Sequence, residues 1–126
     1  MREIKFRAWN KIRCFMDAVW LIDIEHNIIC HRKHNTSNLD NCEVMQYTGL
    51  KDKNGKEIFE GDIVKVYDDY NVYGIMAGEI YEIYFAFGGF RLKPKRNPKA
   101  KGNWVEDGID FEVIGNIYEN PELLKG

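Results

Sequence analysis

The chain has 126 residues, of which 44% are apolar and 30% charged, with a net charge of −2. That length is one domain's worth and buries roughly two-thirds of the surface an unfolded chain exposes, and the mix is globular rather than disordered. The near-neutral balance gives no global field for nucleic acid. No stretch approaches the roughly 20 apolar residues of a membrane span, and the opening Met1–Arg7 lacks the apolar run of a signal peptide. A cytoplasmic protein with no membrane partner is expected. Cys14, Cys30 and Cys42 are an odd number without a CxxC pair, which fits free thiols in a reducing compartment.

Ile4 to Trp9 alternates, with Ile4, Phe6 and Ala8 on one face, and predicts a half-buried strand. Asn10 to Arg13 reads as a turn, and Cys14 to Met16 as a short resumed strand. Val19 to Glu25 predicts another strand, placing Trp20, Ile22 and Ile24 together. Glu25-His26-Asn27 reads as a hairpin turn, since Asn tolerates the left-handed region. Ile28 to His31 is the return strand, Asn35 to Asn38 a polar loop, and Glu43 to Thr48 a further strand.

Asn54-Gly55 is a strong hairpin signal, because a type I′ turn needs positive φ at both central residues. Glu60-Gly61-Asp62 predicts a second tight turn braced by the Asp side chain, followed by a strand from Ile63 to Tyr67. Ile75 to Phe87 reads as a long strand with Tyr81, Ile83, Phe85 and Phe87 on one face, turned by Gly88-Gly89 into Phe90 to Lys93. Pro94 to Lys101 is a basic loop that its prolines keep out of a central strand. Phe111 to Tyr118 alternates again. Asn120-Pro121-Glu122-Leu123-Leu124 predicts a closing helical turn, with Asn as cap and Pro at the first helical position.

Many short strands with frequent turn signals and no long helical period predict a mostly β protein, a small sandwich or barrel. The spacing suits a small SH3-like β-barrel over 47–126, an N-terminal β meander over 1–46, and a short C-terminal helical turn, in one domain.

Three blocks of sequence resemble the YopX family of phage and prophage proteins. They are Arg2-Glu3-Ile4-Lys5-Phe6-Arg7-Ala8-Trp9, the run Met45 to Gly55 continuing through Glu60-Gly61-Asp62-Ile63-Val64, and Glu112 to Leu124. The resemblance implies a phage-encoded protein in a bacterial host cell, forming homo-oligomers, with no established activity and no catalytic residues to carry over. Gly49, Gly55, Gly61 and Gly115 read as backbone requirements at turns or close contacts, and Asn54 and Asp62 as turn chemistry.

Four kinds of site are open to such a sequence. His26, Cys30, His31 and His34, with Cys42 further on, have zinc-ligand chemistry but no finger spacing, and surface histidines with a buried thiol explain them as well. Arg91, Lys93, Lys95, Arg96, Lys99 and Lys101, flanked by Phe90 and Trp104, are candidate nucleic-acid contacts; Arg2, Lys5, Arg7, Lys11 and Arg13 would extend that patch. A solvated loop paired with Glu106, Asp107 and Asp110 is the alternative. Glu57, Glu60 and Asp62, and Asp68-Asp69, are paired carboxylates without a nucleophile, a phosphate cradle or a histidine partner, so no enzyme and no cofactor is expected. Finally, Tyr67, Tyr70, Tyr73, Tyr81, Tyr84, Phe85, Phe87 and Phe90 exceed the needs of a small core and predict a contact surface. The expected function is that of a non-enzymatic accessory protein acting by self-assembly and contact with a host or phage macromolecule. A nucleic-acid module using 91–101 is the alternative, and a metal-dependent enzyme the second alternative.

Overall fold

The computed structural model describes residues 3–31, 35–100, 102–105 and 108–125. Its strands are, in chain order, β1 (Phe6–Asn10), β2 (Phe15–Asp23), β3 (Ile28–His31), β4 (Thr36–Asn38), β5 (Cys42–Lys51), β6 (Glu57–Phe59), β7 (Asp62–Val66), β8 (Ile80–Ala86), β9 (Gly89–Pro94), β10 (Asn103–Trp104) and β11 (Phe111–Asn116). They form two antiparallel sheets, ordered β4-β3-β2-β1-β5-β6 and β10-β9-β8-β7-β11. The protein is mostly β, but among the described residues no ladder closes either sheet into a barrel. The chain divides into two compact units, Met1–Tyr47 and Thr48–Gly126.

In the first unit, Asn10 closes the turn after β1. Its carboxamide oxygen accepts from Ile12 N at 3.0 Å and Arg13 N at 2.9 Å, and Cys14 takes positive φ to re-enter the sheet. The two strands expected at Cys14–Met16 and Val19–Glu25 are one strand, β2. A register shift between Val19 and Leu21 breaks its alternation. Trp20 and Leu21 are therefore both exposed, and Ile24 lies beyond the strand end in solvent, so the shared apolar face expected of Trp20, Ile22 and Ile24 does not form. Asn27 turns the hairpin with φ +59°. The loop expected at Asn35–Asn38 contains a strand, β4, because β3 leaves an unpaired side that residues 36–38 fill. Ala8, Ile29 and Met45 are buried beside a polar group, His31. Its Nε2 lies 2.8 Å from Ser37 Oγ, which also accepts from Asn10 Nδ2 at 3.0 Å.

The second unit has an apolar core of Ile58, Val64, Val66, Ile75, Tyr81, Ile83, Leu92, Ile109 and Phe111. Val64 and Val66 alternate on β7 and Tyr81 and Ile83 on β8, as a one-sided sheet requires, and Ile58 of β6, Leu92 of β9, Phe111 of β11 and the loop residues Ile75 and Ile109 complete the core. The Asn54-Gly55 turn is not type I′: Gly55 has positive φ and Asn54 does not. Asp52 shapes it instead. Its Oδ1 accepts from Asn54 N at 2.8 Å and Lys56 N at 2.9 Å, and its Oδ2 reaches across to Val113 N at 3.0 Å. Lys53 N donates to Phe111 O at 2.8 Å beside it. At the next turn Asp62 Oδ2 accepts from Phe59 N at 2.8 Å, with Gly61 at φ +84°.

The strand expected over Ile75–Phe87 is shorter. Gly74 and Gly78 both take positive φ and break it, so Ile75 makes only an isolated bridge to Tyr70 while its side chain is fully buried. The other end is shortened by the turn, which sits at Phe87-Gly88 rather than Gly88-Gly89. Ala86 faces Gly89, and Phe87 and Gly88 have φ +54° and +85°. Positive φ at both central residues of a two-residue hairpin is the type I′ signature. At the C-terminal end, β11 shifts register between Val113 and Gly115. A Cβ on Gly115 would lie 2.6–2.8 Å from the Asn120 side chain. Asn120 does not cap the 3-10 turn Pro121–Leu124. Its carboxamide instead turns back to accept from Asn116 N at 3.2 Å.

Burial pushes the Asp52 carboxyl up, but the hydrogen bonds from Val113, Lys56 and Asn54 outweigh it and hold it below the usual Asp range. Such a group contributes stability that is present at neutral pH and lost as pH falls through its lowered value. Asp52→Ala is expected to cost about 3 kcal/mol at pH 7, since it leaves three N–H groups without their charged acceptor. In urea unfolding, the gap between wild type and variant should narrow below about pH 4, where the carboxylate begins to protonate.

Candidate functional site

Aromatic residues gather on both faces of the free end of the β8–β9 hairpin, Phe85 and Phe90 on one and Trp104 on the other. Phe85 on β8 and Phe90 on β9 face each other across the ladder and meet edge to face, with ring centroids 5.3 Å apart. The type I′ turn throws Phe87 into solvent at 64% exposure. β10 brings Trp104 alongside β9, and a Cβ at Gly89 would meet its ring at 2.4 Å, so the indole lies flat on that glycine. Phe85 and Trp104 are 54% and 44% exposed.

Arg91, on the face opposite Phe85 and Phe90, gathers Phe87 and Trp104. Its guanidinium lies 4.1 Å from the Trp104 ring centroid and 5.3 Å from that of Phe87, and Nη2 donates to Gly102 O at 2.8 Å. Gly102 comes close enough because it has no side chain: a Cβ there would sit 1.7 Å from Leu92 O. Arg91 is thus buried, with its charge close to two rings. A guanidinium stacked this way gains from the ring faces while losing little hydration.

The remaining members of the basic run differ in their partners. Lys93 lies 4.0 Å from Glu82 and 4.6 Å from the Tyr84 ring centroid. Arg96 Nε donates to Glu79 Oε1 at 2.5 Å. Lys95 and Lys99 have no carboxylate partner among the described residues. Lys101 lies outside the described residues, as do Arg2, Glu106 and Asp107.

The other candidates resolve into local structure. His26 Nδ1 is 2.8 Å from Asp23 Oδ2 on an exposed turn, His31 is buried against Ser37, and His34 lies outside the described residues. Cys42 shares the Ser37 hydroxyl, and burial raises its thiol above the usual range. Among the described residues no three His, Cys, Asp or Glu side chains converge to hold a metal ion. Asp62 braces its turn, and Asp69 Oδ1 accepts from Ala77 N at 2.8 Å. Of the tyrosines, Tyr81 is a core residue, Tyr70 packs on that core, and Tyr67 and Tyr73 are exposed. The sequence reading missed β10. Its only signal was Trp104 itself, an aromatic stranded in a polar stretch.

Comparison with known proteins places these features in a family setting. The sequence profile described as YopX protein matches residues 5–125. The SPbeta prophage-derived uncharacterized protein YopX of Bacillus subtilis (strain 168) is 35% identical over 77 residues, 57% of this chain and 53% of that protein. The match therefore spans about half the length of that curated relative. The crystal structure of protein EF1440 from Enterococcus faecalis superposes with a TM-score of 0.70 at 31% identity, covering 99% of this chain and 100% of that one. The crystal structure of YopX from Bacillus subtilis gives 0.58 at 24% identity over 98% of each chain, a likeness of fold. No helix among the described residues is long and apolar enough to cross a membrane.

The basic run therefore divides by role. Arg91→Ala is expected to cost about 2 kcal/mol, because it removes packing from two rings and leaves Gly102 O without its donor. Lys95→Ala and Lys99→Ala should each stay within about 0.5 kcal/mol of wild type in chemical denaturation.

Proposed function

The chain belongs to the YopX family, and we propose that it is a non-enzymatic prophage accessory protein that self-assembles through the aromatic end of its β8–β9 hairpin. One observation carries this reading: Phe87 occupies a left-handed position of a type I′ turn while exposing most of its ring. Asn or Gly suits that position, and a bulky residue there costs roughly 1–2 kcal/mol. Backbone strain of this kind concentrates where a side chain is needed for something other than folding.

What surrounds Phe87 supports a protein contact. Aromatics and Arg are the residues enriched at the centres of interfaces, and rings held by their neighbours lose little freedom on binding. Phe87 and Trp104 are held this way by Arg91, and Phe85 by Phe90 on the other face of the hairpin. Two copies meeting through the same hairpin end would stack rings on rings in an isologous contact. Contact with another host or phage macromolecule would use the same surface or the half-buried Lys95 and exposed Lys99.

Light scattering on the full chain at high concentration tests the proposal. The expected result is a mass above that of the monomer, returning to monomer in Phe85→Ser/Phe87→Asn. Phe87→Asn alone should weaken assembly while raising the melting temperature of the dilute protein by about 4 °C, because it relieves the turn. A monomer at every concentration would overturn self-assembly, and an unchanged oligomer in the double variant would overturn the surface. Salt-sensitive binding of single-stranded oligonucleotide, lost in Lys95→Ala/Lys99→Ala, would favour the nucleic-acid reading instead.

A further inference from the structure

A second feature of the same unit lies apart from the hairpin end. A cavity of about 490 Å³ opens where Gly78, Glu79 and Ile80 face Pro94, Lys95 and Arg96. Leu124 forms one wall, and a smaller hollow of about 60 Å³ continues past Pro94 toward Glu82 and Lys93. The larger volume falls within the roughly 300–1,000 Å³ typical of small-molecule sites.

The chain builds this space deliberately at three points. Lys95 N donates to Ile80 O at 2.9 Å, so the end of β9 is fastened to the start of β8. The Asn116 side chain accepts from Tyr118 N at 3.0 Å and Glu119 N at 2.9 Å, which bends the chain into the 3-10 turn that carries Leu124. Glu79 receives Tyr81 OH and Met76 N on one oxygen and Arg96 Nε on the other. Both carboxylate oxygens are therefore occupied, and Arg96 is fixed by its Nε edge.

The charge balance of the space is then uneven. Glu79 offsets Arg96, and Glu82 offsets Lys93. Lys95 lines both hollows with no carboxylate partner among the described residues. Its neighbours in the wall are the aliphatic Ile80, Pro94 and Leu124, with no aromatic ring for a base to stack on.

We propose that this cavity binds a small aliphatic carboxylate, its head on Lys95 and Arg96 and its tail against Ile80, Pro94 and Leu124. Lys95 supplies an uncompensated charge, and the outer nitrogens of Arg96 present the planar fork that carboxylates match. The aliphatic walls take up the tail. The site is independent of the assembly surface, since it shares no residue with the hairpin end.

Amide shift mapping and calorimetry on the full chain with octanoate test this, with octylamine and inorganic phosphate as comparisons. Octanoate is expected to bind and to move the amides of Gly78, Ile80, Lys95, Arg96 and Leu124, while octylamine moves none of them. Lys95→Met should weaken octanoate about tenfold, from loss of a charge-assisted hydrogen bond. Leu124→Ser, on an exposed turn, should weaken it while the rest of the amide spectrum stays in place. Shifts centred elsewhere, unchanged affinity in Lys95→Met, or phosphate binding as tightly as octanoate would each overturn the proposal.

Discussion

A single carboxylate organises the second unit. Asp52 lies nearly out of solvent and receives three backbone N–H groups, two from its own turn and one from β11, sixty-one residues away in sequence. Three such donors keep a buried carboxylate ionised at neutral pH, against the cost of desolvating it. The same side chain thus shapes the turn into β6 and fixes where β11 lies. β11 in turn pairs with β7 and carries the bulge from which the C-terminal 3-10 turn departs. Both the core under β7 and the wall supplied by Leu124 inherit their positions from it.

The local grammar of this fold was legible, and its long-range terms were not. Alternation located β1, the body of β8 and β11, because one buried face imposes a period of two, and β3 and β7 were located by the turns before them. Turn chemistry placed Asn27 at positive φ and Asp62 against Phe59 N, since both effects act within a few residues. Asn54-Gly55 misled, because Asp52 competes for the turn through a bond to Val113 that no local window contains. Phe87 misled in the opposite sense. A phenylalanine next to two glycines reads as the last strand residue, yet the register Ala86 to Gly89 makes it the first turn residue. β2 and β4 were obscured by a register shift and by polar composition respectively.

The candidate site was half visible. An aromatic surplus and a basic run could be counted, but not the way one cation is taken into the other group. Arg91 belongs by sequence to the basic loop and by position to the aromatic cluster, between Phe87 and Trp104. Its removal from the charged set, with the pairing of Lys93 and Arg96, changes that segment from a uniform electrostatic patch into two unlike surfaces. One is a hairpin end faced with rings. The other is a lined hollow in which Lys95 has no carboxylate partner among the described residues.

The outer flank of β11 has a further consequence. Lys53 N meets Phe111 O there, and Val113 N is taken by Asp52, while β10 screens the far side of β9 over only two residues. Strand-by-strand polymerisation needs a row of vacant main-chain donors and acceptors, and this flank offers few. Copies of the chain meeting at this flank would have to recognise one another by side chains. An isologous contact of that kind saturates at two subunits and does not grow into fibres.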